Sequence, residues 1–178
     1  MPRTVPPLIP KPILVFSLAI LLGACASRPP TPVTPIHIHD TVTLPPTVAP
    51  QANAVAFHAF NLVGAPYQWG GESPRTGFDC SGLVQYVYRE AVGMDLPRTS
   101  SAMSRLPAPK ISNVHKLATG DLLFFRTTGS GISHVAIYIG DGRFVDAPSR
   151  GEKVRVRRLT QPYWRNHFAF ARRVLEEK

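Results

Sequence analysis

An α+β fold, with helices leading and an antiparallel sheet following, is what this sequence predicts, and three observations predict it. Leu83, Val84, Val87, Ala91 and Val92 recur at the spacing of a half-buried helix. Residues 133–139 (SHVAIYI) place Val135, Ile137 and Ile139 on one face of a strand, with His134, Ala136 and Tyr138 on the other. Gly140-Asp141-Gly142 then returns the chain into residues 143–147 (RFVDA), which makes a hairpin. Helical patterns first and strands after them, without alternation, belong to the α+β class.

The front of the 178-residue chain is of another kind, for twelve of its 19 prolines lie in residues 1–50, which excludes continuous helix or central strand there. Residues 1–24 read as an export signal, with Arg3 and Lys11 followed by a ten-residue apolar core at 13–22, too short to span a bilayer as a stable helix. That stretch ends Leu22-Gly23-Ala24-Cys25, which resembles a bacterial lipobox, so Cys25 is the expected lipidation site. Ordinary secretion also satisfies the residues around Cys25, and the lipoprotein reading is preferred. Ala26 in the next position implies, by the same resemblance and in a diderm host, an outer-membrane lipoprotein facing the periplasm. Residues 25–50, rich in Pro and Thr, form a tether. Within it His37 and His39 lack a third ligand and are read as solvated, so neither metal nor cofactor is called for.

Residues 51–178 form the domain. Ala52, Val55, Ala56, Ala59, Phe60 and Val63 mark a first helix, ended by Gly64 and Pro66, with His58 on its flank. A turn-rich stretch, Tyr67-Gln68-Trp69-Gly70-Gly71, follows; Trp69 is expected in the core and the Tyr67 hydroxyl in a cleft. Asp79 precedes the main helix as N-cap and Gly93 closes it, so Cys80 lies in the first turn among unpaired backbone N–H groups, a setting that suits a thiolate nucleophile. Residues 96–101 run extended and then cap a short helix. Residues 121–126 (DLLFFR) and 168–175 are further strand material, and Val154 and Val156 alternate with Lys153, Arg155 and Arg157 in a more exposed strand.

Cys80 is the only cysteine besides Cys25, so an exported domain carries one lone thiol and no disulfide. Removing Arg3 and Lys11 with the signal leaves +7 of the formal +9 charge, concentrated in the last third. Such a surface suits an anionic wall polymer or phospholipid head groups, and an export signal argues against nucleic acid. Of the six histidines only His134 stands on a strong strand with an acid within hairpin reach; His115 and His167 have none. The hairpin is expected to have a three-residue loop with Gly142 at a bulge, which pairs Ile139 with Arg143 and Ala136 with Asp146 and puts Asp146 on the face of His134. A two-residue loop pairing Gly140 with Arg143 is expected to turn Asp146 away. Cys80, His134 and Asp146 then form a set suited to nucleophilic amide cleavage, in which imidazole moves the proton and the acid orients it.

The stretches YQWGG (67–71), DCSGLV (79–84), LPRTS (96–100), GDLLFF (120–125), SHVAIYIG (133–140) and PYW (162–164) resemble, in order and spacing, the NlpC-type family of cell-wall cysteine endopeptidases. The resemblance covers residues 52–175. It implies a papain-like fold and hydrolysis, through a thioester, of D-glutamyl–diaminopimelate or D-alanyl–diaminopimelate bonds in peptidoglycan stem peptides. By position it makes Cys80 the nucleophile and His134 the base. Tyr67 then assists the oxyanion, and Asp79, Ser81 and Arg98 shape the substrate site, Asp79 having the helix cap as a competing role. Two departures stand out: Asp146 replaces the histidine of many relatives, and Met103 occupies the place of a glutamine that touches substrate. The alternatives are a non-catalytic wall-binding lipoprotein, or an amidase or acyl-transferase on the same fold.

Overall fold

The computed structural model describes residues 50–175, so the expected signal, tether and lipidation at Cys25 lie outside the described residues. Helix α1 spans Pro50–Asn61 and buries Ala52, Val55 and Ala59. Strands β1 (Glu72–Ser73) and β2 (Gly77–Phe78) pair as a short antiparallel ribbon, and α2 (Cys80–Val92) follows at once. After α3 (Ser100–Met103) come β3 (Lys110–Ile111), β4 (Leu122–Phe125), β5 (His134–Gly140), β6 (Arg143–Asp146) and β7 (Arg155–Arg158). Helix α4 (Pro162–His167) leads directly into β8 (Phe168–Arg172). This is the α+β, papain-like arrangement of helices on an antiparallel sheet.

The six-stranded sheet has the order β3-β8-β4-β5-β6-β7, antiparallel throughout. Its C-terminal strand β8 lies inside the sheet, against β4. On one face α1 and α2 cover Phe124, Val135, Ile137 and Val145; on the other, Leu123, Phe125, Ala136 and Phe144 pack with Leu159 and Trp164. Strand β4 is therefore buried on both faces, which is why its sequence is an unbroken apolar run.

Helix α2 starts and stops as its sequence dictates. The Asp79 carboxylate accepts from the Gly82 N–H at 2.7 Å, and Gly93 ends the helix in the left-handed region at φ 65°. Gly82 permits a contact no side chain would: a Cβ there would stand 2.0 Å from the Gly71 carbonyl oxygen. That contact packs the start of α2 against the turn after Tyr67.

Four expectations are corrected. Phe60 and Val63 are exposed, because the stripe that α1 buries runs through Ala52, Val55 and Ala59. One residue beyond Ala59, Phe60 is turned about 100° away from that face, and Val63 lies past the end of the helix. Trp69 is 78% exposed at the tip of a turn rather than in the core. Met103 is fully buried in the main cluster, a packing residue without a face toward substrate.

The fourth concerns the hairpin. Asp141 and Gly142 both take positive φ, 52° and 68°, and form a two-residue turn that pairs Gly140 with Arg143. The extra residue sits in the strand, where the register shifts between Tyr138 and Gly140, so Tyr138 faces Phe144 and Ile137 faces Val145. Beyond that bulge the register is the one the three-residue loop was expected to give. Asp146 comes onto the face of His134 by a different route.

Candidate active site

Cys80 opens α2 and is half-buried. Its N–H falls in the first helical turn, where the helix offers no acceptor, so it is available to a developing oxyanion. The sulfur meets the imidazole of His134, projected from the first residue of β5.

His134 is 4% exposed, and its ring lies against Phe125 (5.9 Å between centroids) and Trp164 (5.4 Å). Nε2 donates to Asp146 Oδ2 at 3.0 Å, which leaves Nδ1 as the nitrogen for the thiol. Burial by itself pushes the imidazole pKa down. The hydrogen bonds to Asp146 and Cys80, with the charges behind them, prevail and raise it to about 9. The imidazole beside the sulfur is therefore able to hold a proton taken from the thiol.

Asp146 is fully buried, and both its oxygens are used. Oδ2 takes the proton of His134, and Oδ1 accepts from Arg157 Nε at 3.1 Å. Arg157 also reaches Glu152 Oε2 at 3.4 Å, and its guanidinium carbon stands 4.8 Å from the Trp164 ring centre. Sequence reasoning assigned Arg157 only to an exposed strand. The signal that finds it is physical: a buried aspartate requires a cation, and the Lys153, Arg155, Arg157 alternation supplies candidates on the neighbouring strand.

A second cluster lies at the start of α2. Arg98 Nη1 donates to Asp79 Oδ1 (3.0 Å) and to Ser81 Oγ (2.9 Å), and Nη2 donates to Asp79 Oδ2 at 2.7 Å. Ser81 in turn donates to Asp79 Oδ1 at 3.2 Å, and the Gly70 N–H reaches Oδ2 at 3.0 Å. Burial would raise the Asp79 pKa, but the bonds from Arg98, the Gly82 N–H and Ser81 hold it below the usual carboxylate range. Asp79 thus caps the helix and anchors Arg98 at once; the two roles are not exclusive. Tyr67 stands near enough to Cys80 and Asp79 for their charges to act on it. Burial and then these neighbours raise its pKa, so the phenol keeps the proton it would donate.

An open cavity of about 650 Å³ borders His134 and is lined by Thr127, Ser149, Glu152, Arg155, Tyr163 and Trp164 among others. It contains none of the Tyr67, Asp79, Ser81 and Arg98 group. The structure therefore brings Cys80, His134 and Asp146 together, sets Asp79, Ser81 and Arg98 beside the sulfur with Tyr67 in reach, and leaves His115 and His167 outside this set.

A family model described as NlpC/P60 family matches residues 64–173. The chain is 45% identical over 117 residues to murein DD-endopeptidase MepH of Escherichia coli (strain K12), covering 65% of this chain and 43% of that protein. It is 42% identical over 123 residues to gamma-DL-glutamyl hydrolase of Bacillus subtilis (strain 168), covering 67% of this chain and 28% of the relative. The match thus spans less than half the length of either. Among solved structures, the NlpC/p60 domain of peptidoglycan hydrolase SagA is 37% identical with a TM-score of 0.60, over 69% of this chain and 98% of that one.

Proposed function

The chain belongs to the NlpC/P60 family, and we propose on that footing that it is a cysteine endopeptidase cutting an amide bond in peptidoglycan stem peptides. The observation that carries this reading is the single imidazole shared by a thiol and a buried carboxylate, His134 between Cys80 and Asp146. His134 Nδ1 accepts the Cys80 proton and the thiolate attacks the amide carbon. The resulting oxyanion takes hydrogen bonds from the Cys80 N–H and the Tyr67 phenol, each such donor being worth about 3–4 kcal/mol. As the C–N bond breaks, His134 returns the proton to the leaving amine, and a thioester remains on Cys80. Water, deprotonated by the same imidazole, hydrolyses the thioester and restores the thiol.

Asp79, Ser81 and Arg98 shape the substrate site at the start of the helix that Cys80 opens. The bond is read as D-alanyl–diaminopimelate or D-glutamyl–diaminopimelate, the two stem-peptide bonds that the sequence resemblance implies. Residues 1–24 direct export, Cys25 carries lipid, and residues 25–50 tether the domain at the outer membrane of a diderm host, facing the wall. The sequence motifs support that placement.

Purified sacculi test the enzyme reading. Wild type releases soluble peptides and Cys80→Ala does not, and mass spectrometry of the products identifies the bond. No release by either protein refutes the enzyme reading and leaves the wall-binding alternative, whereas equal release by both refutes Cys80 as the nucleophile.

A further inference from the structure

A carboxylate removed from water requires a counter-charge, and His134 supplies one only while it is an imidazolium. Asp146 has no exposed surface, so solvent does not compensate it when the imidazole is neutral. The charged and titratable groups around it are His134 from β5, Arg157 and Arg155 from β7, Glu152 ahead of β7, and Cys80 of α2 across the imidazole.

Arg155 stands directly opposite Asp146 across β6 and β7, yet it pairs with Glu152. Arg157 is opposite Phe144 and reaches diagonally to Asp146 instead. It is held on three sides: Nε on Asp146 Oδ1, Nη2 on Glu152, and its plane against Trp164, the same indole that packs on His134. Because Nε occupies Oδ1, Oδ2 is the oxygen left for His134 Nε2.

We propose that Arg157 is a positioning residue of this site: it compensates the charge of Asp146 and fixes the carboxylate so that Oδ2 points at His134, extending the set to Cys80–His134–Asp146–Arg157. The proposal rests on the hydrolytic reading of the first three. It also explains how this chain uses an aspartate where a histidine, which needs no buried cation, stands in many of the proteins it resembles. A purely structural arginine would matter equally whatever residue 146 is. A positioning arginine matters only while that residue carries a negative charge.

The test is a double-mutant cycle on the full chain with purified muropeptides: wild type, Arg157→Met, Asp146→Asn and the double variant, with folding checked by circular dichroism and thermal unfolding. Methionine keeps an apolar stem against Trp164. Arg157→Met is expected to lower kcat about tenfold or more with KM nearly unchanged, and the same change on the Asp146→Asn background to cost less than about twofold. Arg157→Lys recovers part of the loss. Should the asparagine proteins turn over too slowly, Asp146→His provides the uncharged background. A readout free of turnover is the His134 Nε2–H resonance, expected protected in wild type and exchange-broadened in Arg157→Met, but insensitive to Arg157→Met once Asp146→Asn is present. Equal losses of kcat in both backgrounds, a loss confined to KM, or an unchanged Nε2–H signal overturns the proposal. An inactive wild type with the resonance behaving as described would instead sink the hydrolytic reading alone.

Discussion

Asp146 meets His134 at 3.0 Å across a hairpin whose turn, unaided, would have aimed the carboxylate at the opposite face of the sheet. The bulge between Tyr138 and Gly140 absorbs one residue and restores the register, and the Asp146–His134 hydrogen bond depends on that one-residue correction.

Deleting Ile139 should therefore be tolerated. The residue is the surplus one, and without it a two-residue turn joins Tyr138–Phe144 and Gly140–Arg143 pairs in a regular ladder, with His134 and Asp146 still on one face. The deletion variant is expected to retain most of its peptide release from sacculi while losing some stability, since Ile139 packs on the core. Complete inactivity of a folded deletion variant would contradict the role given to the bulge.

Removing the charge of Asp146 acts on His134 directly. In Asp146→Asn the imidazole loses the partner that holds its proton, and its titration midpoint should fall from about 9 towards or below the ordinary value, because burial is then opposed by Cys80 alone. An NMR titration of the His134 ring reads this. Turnover should fall by about 10²–10⁴ in kcat, the range expected when the orienting acid is lost. A midpoint unmoved by the substitution would show that the carboxylate does not govern the ring.

Stability should follow the same proton. The folded chain binds it more tightly than the unfolded chain, whose histidine has its ordinary value near 6.5, so the stabilising contribution is complete below about pH 6.5 and is lost as pH climbs to about 9. Urea unfolding of wild type is expected to show declining stability across that window. The Asp146→Asn protein should show a much flatter profile there. A wild-type profile as flat as the variant's excludes this linkage.

The start of α2 gives a steric prediction. Gly82→Ala places a methyl 2.0 Å from a backbone oxygen of Gly71, where no rotamer relieves the clash, and should cost several kcal/mol or abolish folding. Trp69→Ala, by contrast, removes a large but 78% exposed side chain and should change stability by less than about 0.5 kcal/mol. Thermal unfolding of the two variants side by side decides it; a destabilisation by Trp69→Ala as large as that of a core aromatic would mean the turn packs more closely than described.

Much of this protein is legible in its sequence because the relevant forces are local. A cap residue, an apolar stripe and a glycine stop define α2, and Cys80 opens it for the same reason. Alternation in residues 134–140 fixes which side chains share a face, and so pairs His134 with the face of Ala136. Trp69 departs from its expectation because aromatic content signals burial on average, whereas its place in the turn just before Gly70 and Gly71 leaves the side chain exposed. Phe60 misled because a stripe read from composition is wider than the face a neighbouring helix covers.

Sequence alone determined that Cys80 would begin a helix and that a histidine with a nearby acid would stand on a hairpin, since spacing within one element sets those positions. Tertiary structure decided how the acid is aimed, through a bulge invisible to pattern, and what compensates its charge. It also carried β8 into the sheet beside β4 and set Arg157 diagonally against Asp146. Those outcomes depend on strands distant in the chain closing over one another, where burying a charge without a partner is too costly to persist.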